Sequence, residues 1–206
     1  MNVETAFRAT YVQLGADAHV TGAHWATVRG RYTARGRHYH NLAHLSEMLA
    51  LLDGYGALAA DRTAVELAVY YHDLVYDPLR RDNEARSARA AERLLAEVTD
   101  APRVAKVAAM IEATAAHAPT PDADTALLLD ADMAILGAAP ARYDAYARTV
   151  RKEYWMYPGP IYRRGRRKAL EGFLAETHIY QLDAFRQNLE ASARENVRRE
   201  LAGLAY

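Results

Sequence analysis

Arg62-Thr63-Ala64-Val65-Glu66-Leu67-Ala68-Val69-Tyr70-Tyr71-His72-Asp73 is the stretch on which the reading of this chain turns. From Ala64 to Tyr71 only Glu66 is polar, and the run suits a helix from about Arg62 to Leu74. A helix that is apolar on most sides belongs at the centre of a fold. His72 and Asp73 then fall at the end of a core helix.

Upstream, Arg37-His38-Tyr39-His40-Asn41-Leu42-Ala43-His44 ends 28 residues before His72. Leu42, Leu45, Leu49 and Leu52 recur at helical spacing, predicting a helix from about His40 to Asp53, closed by Gly54-Tyr55-Gly56. On that helix His40 and His44, four residues apart, share one face. His72 and Asp73 are adjacent, so their side chains point about 100° apart with room for one ion between the tips. Three imidazoles and a carboxylate can therefore meet on one divalent metal, a donor mixture that Zn²⁺, Mn²⁺, Fe²⁺ or Ni²⁺ accepts.

The rest of the chain is also helical in character. Alanine occurs 43 times and no β-branched stretch alternates with period two, which points to an all-α fold of about eight or nine helices. A helix near residues 3–14 precedes a polar linker through Gly22, Gly30 and Gly36. Pro78 closes the turn after His72-Asp73, and Asp82 or Asn83 caps a helix to about Val98. Pro102 suits the first turn of the next, to about Ala116. The Pro119-Thr120-Pro121-Asp122 loop leads into a helix through Asp132 to Leu136, and Pro140 starts another to about Trp155. Tyr154 to Gly165 reads as irregular: a loop packed by its own side chains, or a wall over a substrate pocket. The last helix, about Leu182 to Leu204, has Glu190 with Arg194 and Glu195 with Arg199 on a solvated face.

Length and composition narrow the function classes. At 206 residues the chain fits one domain, 1–206, able to bury a substantial core. The 26 basic and 26 acidic residues balance, so no global field favours nucleic acid or an anionic membrane. Cysteine is absent, which excludes disulfides, thiolate metal sites and cysteine nucleophiles and leaves imidazoles and carboxylates as the strong ligands. With no long apolar run and no signal-like N-terminus, the expected location is cytoplasmic.

The His…His-Asp…Asp order resembles the HD superfamily of metal-dependent phosphohydrolases. Tyr39-His40-Asn41-x-x-His44 is similar to the YHNxxH element of cyclic nucleotide phosphodiesterases in that superfamily. Further stretches resemble a bacterial family of predicted metal-dependent HD phosphohydrolases. They are His72-Asp73-Leu74-Val75-Tyr76-Asp77, Asp82-Asn83-Glu84-x-x-Ser87-Ala88, Asp130-Ala131-Asp132-Met133-Ala134-Ile135-Leu136-Gly137, Val150-Arg151-x-Glu153-Tyr154 and Ala193-Arg194-x-Asn196. Together they cover roughly residues 2 to 204.

The resemblance implies a single HD-type domain and a site. His44, His72, Asp73 and Asp132 hold a divalent ion (Mn, Zn, Fe, Ni, Co or Mg), with Asp130 kept as the alternative to Asp132. The apolar residues on both sides of Asp130 and Asp132 bury that segment, and a carboxylate there needs a partner. His40, by the same resemblance, protonates the leaving oxygen; otherwise it is a helix-start residue bonded to backbone. Asp77 orients water or serves a second ion, or it is a turn carboxylate before Pro78. Glu84 supports the fold or holds a ligand imidazole in its tautomer. Arg37, His117 and Arg151 are the candidates for substrate phosphate, and Arg163-Arg164-Gly165-Arg166-Arg167-Lys168 is either a further one or a solvated face.

The expected activity is hydrolysis of a small phosphoester, a nucleotide foremost, by metal-activated water. The expected partner is that small molecule, with no nucleic acid and no membrane; the oligomeric state is open. Two rivals remain: a metal- or nucleotide-binding regulatory module without turnover, and an HD-type di-iron oxygenase. The second needs more histidines than the single extra one, His117, that this chain offers.

Overall fold

The computed structural model describes residues 2–204, so residues 1, 205 and 206 of the expected domain lie outside the described residues. It is all-α: ten α-helices and two short 3-10 turns, with no strand among the described residues. None of these helices is long and apolar enough to cross a membrane. The chain divides into two compact units, between Ala131 and Asp132.

The first unit contains α1 (Val3–Gln13), α2 (Ala18–Tyr32), α3 (Leu42–Tyr55), α4 (Arg62–Tyr71), α5 (Asn83–Leu95) and α6 (Ala101–Ala113). The apolar stretch is its axis: α4 packs against α1, α3, α5 and α6. Val65, Leu67, Val69, Tyr70 and Tyr71 are wholly buried, and each of the three aliphatic side chains contributes about 1.5–3 kcal/mol. The one polar member, Glu66, accepts from Thr10 Oγ1 at 2.7 Å and from Arg62 Nε at 2.8 Å.

The linker expected through Gly22 and Gly30 is instead α2. Asp17 caps it, accepting from the His19 and Val20 amides. Its buried residues, Thr21, His24, Trp25, Val28 and Tyr32, follow a helical period. Two of them are polar, which hides the stripe from a hydropathy reading. His24 Nδ1 lies 3.0 Å from Tyr11 Oη, which in turn lies 2.5 Å from Tyr71 Oη.

Burial holds the His24 pKa below its ordinary 6.5, with Glu97 partly opposing. The unfolded chain therefore binds the proton more readily than the folded one. The stability tied to neutral His24 is present above pH 6.5 and lost as pH falls through the folded pKa. Urea unfolding should accordingly show native stability falling more steeply below pH 6.5 than that of His24→Gln; parallel curves would remove His24 as the cause.

α7 (Ala123–Met133) spans the boundary, with its first nine residues in the first unit. It is anchored there at Asp124, which is wholly buried and accepts from the Ala60 and Asp61 amides at 2.6 and 3.0 Å and from Lys106 Nζ. The helical segment expected to reach Leu136 tightens into a 3-10 turn at Ala134–Gly137.

The second unit adds α8 (Pro140–Glu153), α9 (Gly159–Ala175) and α10 (Asp183–Gly203). The irregular stretch expected from Tyr154 to Gly165 is shorter than that, because α9 starts at Gly159 with a proline in its first turn. Asn196 on α10 donates to the Leu136 and Ala138 carbonyls, both at 2.8 Å. Gly137 is needed there, since a Cβ would stand 2.7 Å from Leu189 Cβ. Glu190 and Arg194 do pair, at 2.6 Å, yet on a mostly buried face. Glu190 also accepts from the Ile179 and Tyr180 amides, and Arg194 donates to the Glu176 and Thr177 carbonyls. Arg199 pairs with Asp144 at 2.7 Å rather than with Glu195.

Candidate metal centre

Three elements bring donor atoms together: α3 supplies His44, the C-terminal end of α4 supplies His72, and the last turn of α7 supplies Asp132. One ligand atom from each lies within 4.8 Å of the other two. Both histidines are buried and Asp132 is half-buried. Donors sharing one ion through bonds of about 2.0–2.2 Å stand some 3–4 Å apart, so the cluster is close to the spacing that a single ion requires. The donor chemistry fits too: two imidazoles and a carboxylate suit a borderline divalent ion.

Local structure aims His72. An α-helix continuing past Tyr71 would pair the Asp73 amide with the Val69 carbonyl. That carbonyl instead lies 3.0 Å from His72 Nδ1, and the Asp73 amide donates to Tyr32 Oη at 3.1 Å. α4 consequently stops at Tyr71, short of the expected Leu74. A carbonyl only accepts, so Nδ1 carries the proton and Nε2 presents its lone pair to the site. Asp73 Oδ2 lies 3.3 Å from that Nε2. Asp73 therefore adjoins the cluster through His72, while the group in which all donors are mutually close is His44, His72 and Asp132.

Asp130 is buried as well, but it stands two positions before Asp132, a step of about 200° around the helix. It is Asp132 whose carboxylate joins the imidazoles.

His40 lies outside α3, contrary to the expected helix start. Asn41 is the N-cap, its Oδ1 accepting from the Ala43 amide at 2.8 Å, and the helix begins at Leu42. The His40 ring nonetheless stays near the site, 6.0 Å from the His44 ring and stacked on Tyr76 at 4.4 Å. Arg37 fixes this arrangement by donating to the His40 carbonyl at 3.1 Å and the Leu74 carbonyl at 3.2 Å. Its guanidinium sits over the Tyr32 and Tyr76 rings, at 4.8 and 5.3 Å. Arg37 thus ties the His40 segment to the turn after Asp73.

That turn is latched from the other side. Ser87 Oγ accepts from the Val75 amide at 3.0 Å and donates to the Val75 carbonyl at 3.2 Å. Asn83 likewise exchanges hydrogen bonds with the Asp77 backbone, at 3.1 and 2.9 Å. The side chain of Asp77 accepts from the Leu79 amide at 3.0 Å, the geometry of a turn carboxylate. Glu84 stands in the first turn of α5.

The other sequence candidates are not members of the donor group. His117 follows α6 with φ 49°, a left-handed conformation, and is not in the donor group. In the second unit, Arg151 donates to the Tyr154 and Tyr157 carbonyls at 2.6 and 3.1 Å and covers the Tyr162 ring at 4.6 Å. It braces residues 154–162 from within. In the basic run 163–168, Arg166 is engaged by Glu200 at 2.8 Å and Arg167 stands 3.9 Å from Glu171.

Sequence reading missed Tyr76 as the ring that holds His40, because nothing in Tyr76-Asp77-Pro78 announces a stacking partner. It also quoted Asn83 and Ser87 without their role as latches. No family model, curated protein or solved structure matches this chain.

Proposed function

We propose that the protein is a metal-dependent phosphohydrolase of the HD superfamily, cleaving a small phosphoester, foremost a nucleotide. The observation that supports this reading is the meeting of His44, His72 and Asp132 from three separate elements, in the order in which that superfamily carries its ligands. A divalent ion held by these residues, with Asp73 beside His72, supplies positive charge for the phosphoryl oxygens and lowers the pKa of a water molecule.

The chain's own groups do the remaining work. The Val69 carbonyl keeps His72 in the tautomer that binds through Nε2. His40 stands at the edge of the cluster as the proton donor to the leaving oxygen, with its ring set by Tyr76 and its backbone by Arg37. An imidazole titrates in the range that this task requires.

Metal-loaded protein offered phosphomonoesters, phosphodiesters and nucleotides should release phosphate or a phosphomonoester product from at least one class. His40→Ala should bind metal like the native chain yet turn over about 10²–10⁴-fold more slowly, the usual contribution of a positioned acid. Metal loss in that variant would move His40 into the ligand set. Absence of turnover across the panel with metal intact would favour the regulatory module instead.

A further inference from the structure

On a set of side chains different from those of the metal centre, four arginines line one groove in the first unit. Arg31 comes from α2, and Arg86, Arg89 and Arg93 come from α5; Leu74 and Val75 form part of the lining between them. The groove encloses about 420 Å³, and neither a carboxylate nor an aromatic ring lines it.

Three of the arginines follow the spacing i, i+3, i+7, so they share one face of α5 over about 10 Å of helix. Like charges placed so closely on a helix oppose its formation. The face is not needed for packing, since α5 buries Asn83, Ser87, Ala88, Ala91 and Leu95. Among the described residues no ion pair neutralises these four guanidiniums at close range; Asp82 interacts with Arg86 and is itself solvent-exposed. The run 163–168 is different, because Arg166 and Arg167 there have carboxylate partners.

We infer that this groove is a binding site for a chain of linked phosphates, either inorganic oligophosphate or the phosphate tail of a nucleotide. Guanidinium groups grip phosphate oxygens in pairs. The backbone positions that carry the three α5 arginines span about 10 Å of helix, a row that a linear oligophosphate follows more fully than a single phosphate does. Single-stranded nucleic acid is held by stacking as well as charge, and the groove has no ring for a base. The inference does not depend on the phosphohydrolase reading, as it uses none of the residues assigned to the metal.

Calorimetric titration of the native protein, in chelator so that the metal centre takes no part, tests it with tripolyphosphate, inorganic phosphate and a nucleoside triphosphate. Tripolyphosphate should bind at least about tenfold tighter than inorganic phosphate, and Arg89→Glu/Arg93→Glu should lose at least about tenfold of that affinity. Arg89 and Arg93 are exposed, so the double variant should keep its helical dichroism; Arg89→Gln/Arg93→Gln supplies the milder version. Equal affinity for tripolyphosphate and the nucleotide would assign the site to the phosphate chain itself, and tighter nucleotide binding would assign it to the nucleotide. Undiminished binding by the folded double variant, inorganic phosphate as tight as tripolyphosphate, or no binding at all would overturn the proposal. Single-stranded RNA binding more tightly than either probe would overturn the assignment to a small ligand.

Discussion

His72→Ala should leave the protein unable to retain a divalent ion. Native protein loaded with Mn²⁺ or Zn²⁺ and then desalted should carry about one equivalent by mass spectrometry, because one cluster of two imidazoles and a carboxylate suits one tight ion. Removing His72 takes away a buried donor whose lone pair is aimed by the Val69 carbonyl. The affinity loss should exceed the ~10–100-fold typical of outer partners. Asp132→Ala should behave like His72→Ala. Asp130→Ala should keep its metal, since its position on α7 is about 200° around the helix from Asp132, the aspartate that joins the donor group. Asp73→Ala separates two roles: loss as complete as in His72→Ala makes Asp73 a ligand, and partial loss makes it the group that orients His72. A second readout guards against simple misfolding. Metal at 100 times its dissociation constant stabilises a folded protein by about 2.7 kcal/mol. The native melting midpoint should therefore rise on loading, while a folded His72→Ala or Asp132→Ala should not respond. Native protein that takes up no metal even with excess Mn²⁺ would end the hydrolase reading.

Some of this was legible in the sequence, and the physical reasons differ from residue to residue. α4 could be read directly because burial on every side demands an unbroken apolar run, and Ala64 to Tyr71 supplies one. The pairing of His44 with His72 could be anticipated because each sits beside a recognisable element end. Resemblance favoured Asp132 over Asp130, and Asp132 is the one in the donor group; helix phase could not have made that choice from the sequence, because two positions change it by about 200° and no local pattern fixes it. α2 was hidden because its buried stripe includes Thr21 and His24, and because glycines at 22 and 30 suggest a linker. The extent of α9 was obscured in the same way by Pro158, Gly159 and Pro160, which start the helix rather than prevent it. Arg37 and Arg151 looked like phosphate ligands, since a guanidinium suits carbonyls and phosphates alike. Only the fold reveals that backbone oxygens already take some of their donors. The groove of four arginines draws on residues 31 to 93, a separation that sequence spacing cannot interpret.

Glu200→Ala should destabilise the second unit by about 3–5 kcal/mol, the usual cost of stripping one partner from a buried ion pair. Arg166 on α9 holds Glu200 on α10 through two bonds, Nε to Oε1 at 2.8 Å and Nη2 to Oε2 at 2.9 Å. Their side chains are 9% and 13% exposed, so water screens the pair weakly. Tyr143 Oη from α8 donates to Glu200 Oε2 at 2.5 Å, and Arg166 Nη1 donates to Tyr146 Oη at 3.2 Å. One carboxylate thus satisfies buried donors from two other helices. Alanine at position 200 leaves the guanidinium and the phenol with poor alternatives, and a buried unsatisfied group retains its full desolvation penalty. Glu200→Gln should cost less, because an amide oxygen can still accept from one of them. The sharper comparison is Arg166→Met/Glu200→Leu, which removes both charges and keeps the volume. Replacing a buried pair in this way is often neutral or stabilising, so the double variant should recover most of what Glu200→Ala loses. If urea unfolding shows the double variant as unstable as Glu200→Ala, the side chains matter for their shape and hydrogen bonding to Tyr143 and Tyr146 rather than for charge. If instead Glu200→Ala loses less than about 1 kcal/mol, the pair is as weak as an exposed one, and Arg166 becomes free enough to rejoin the candidates for binding phosphate.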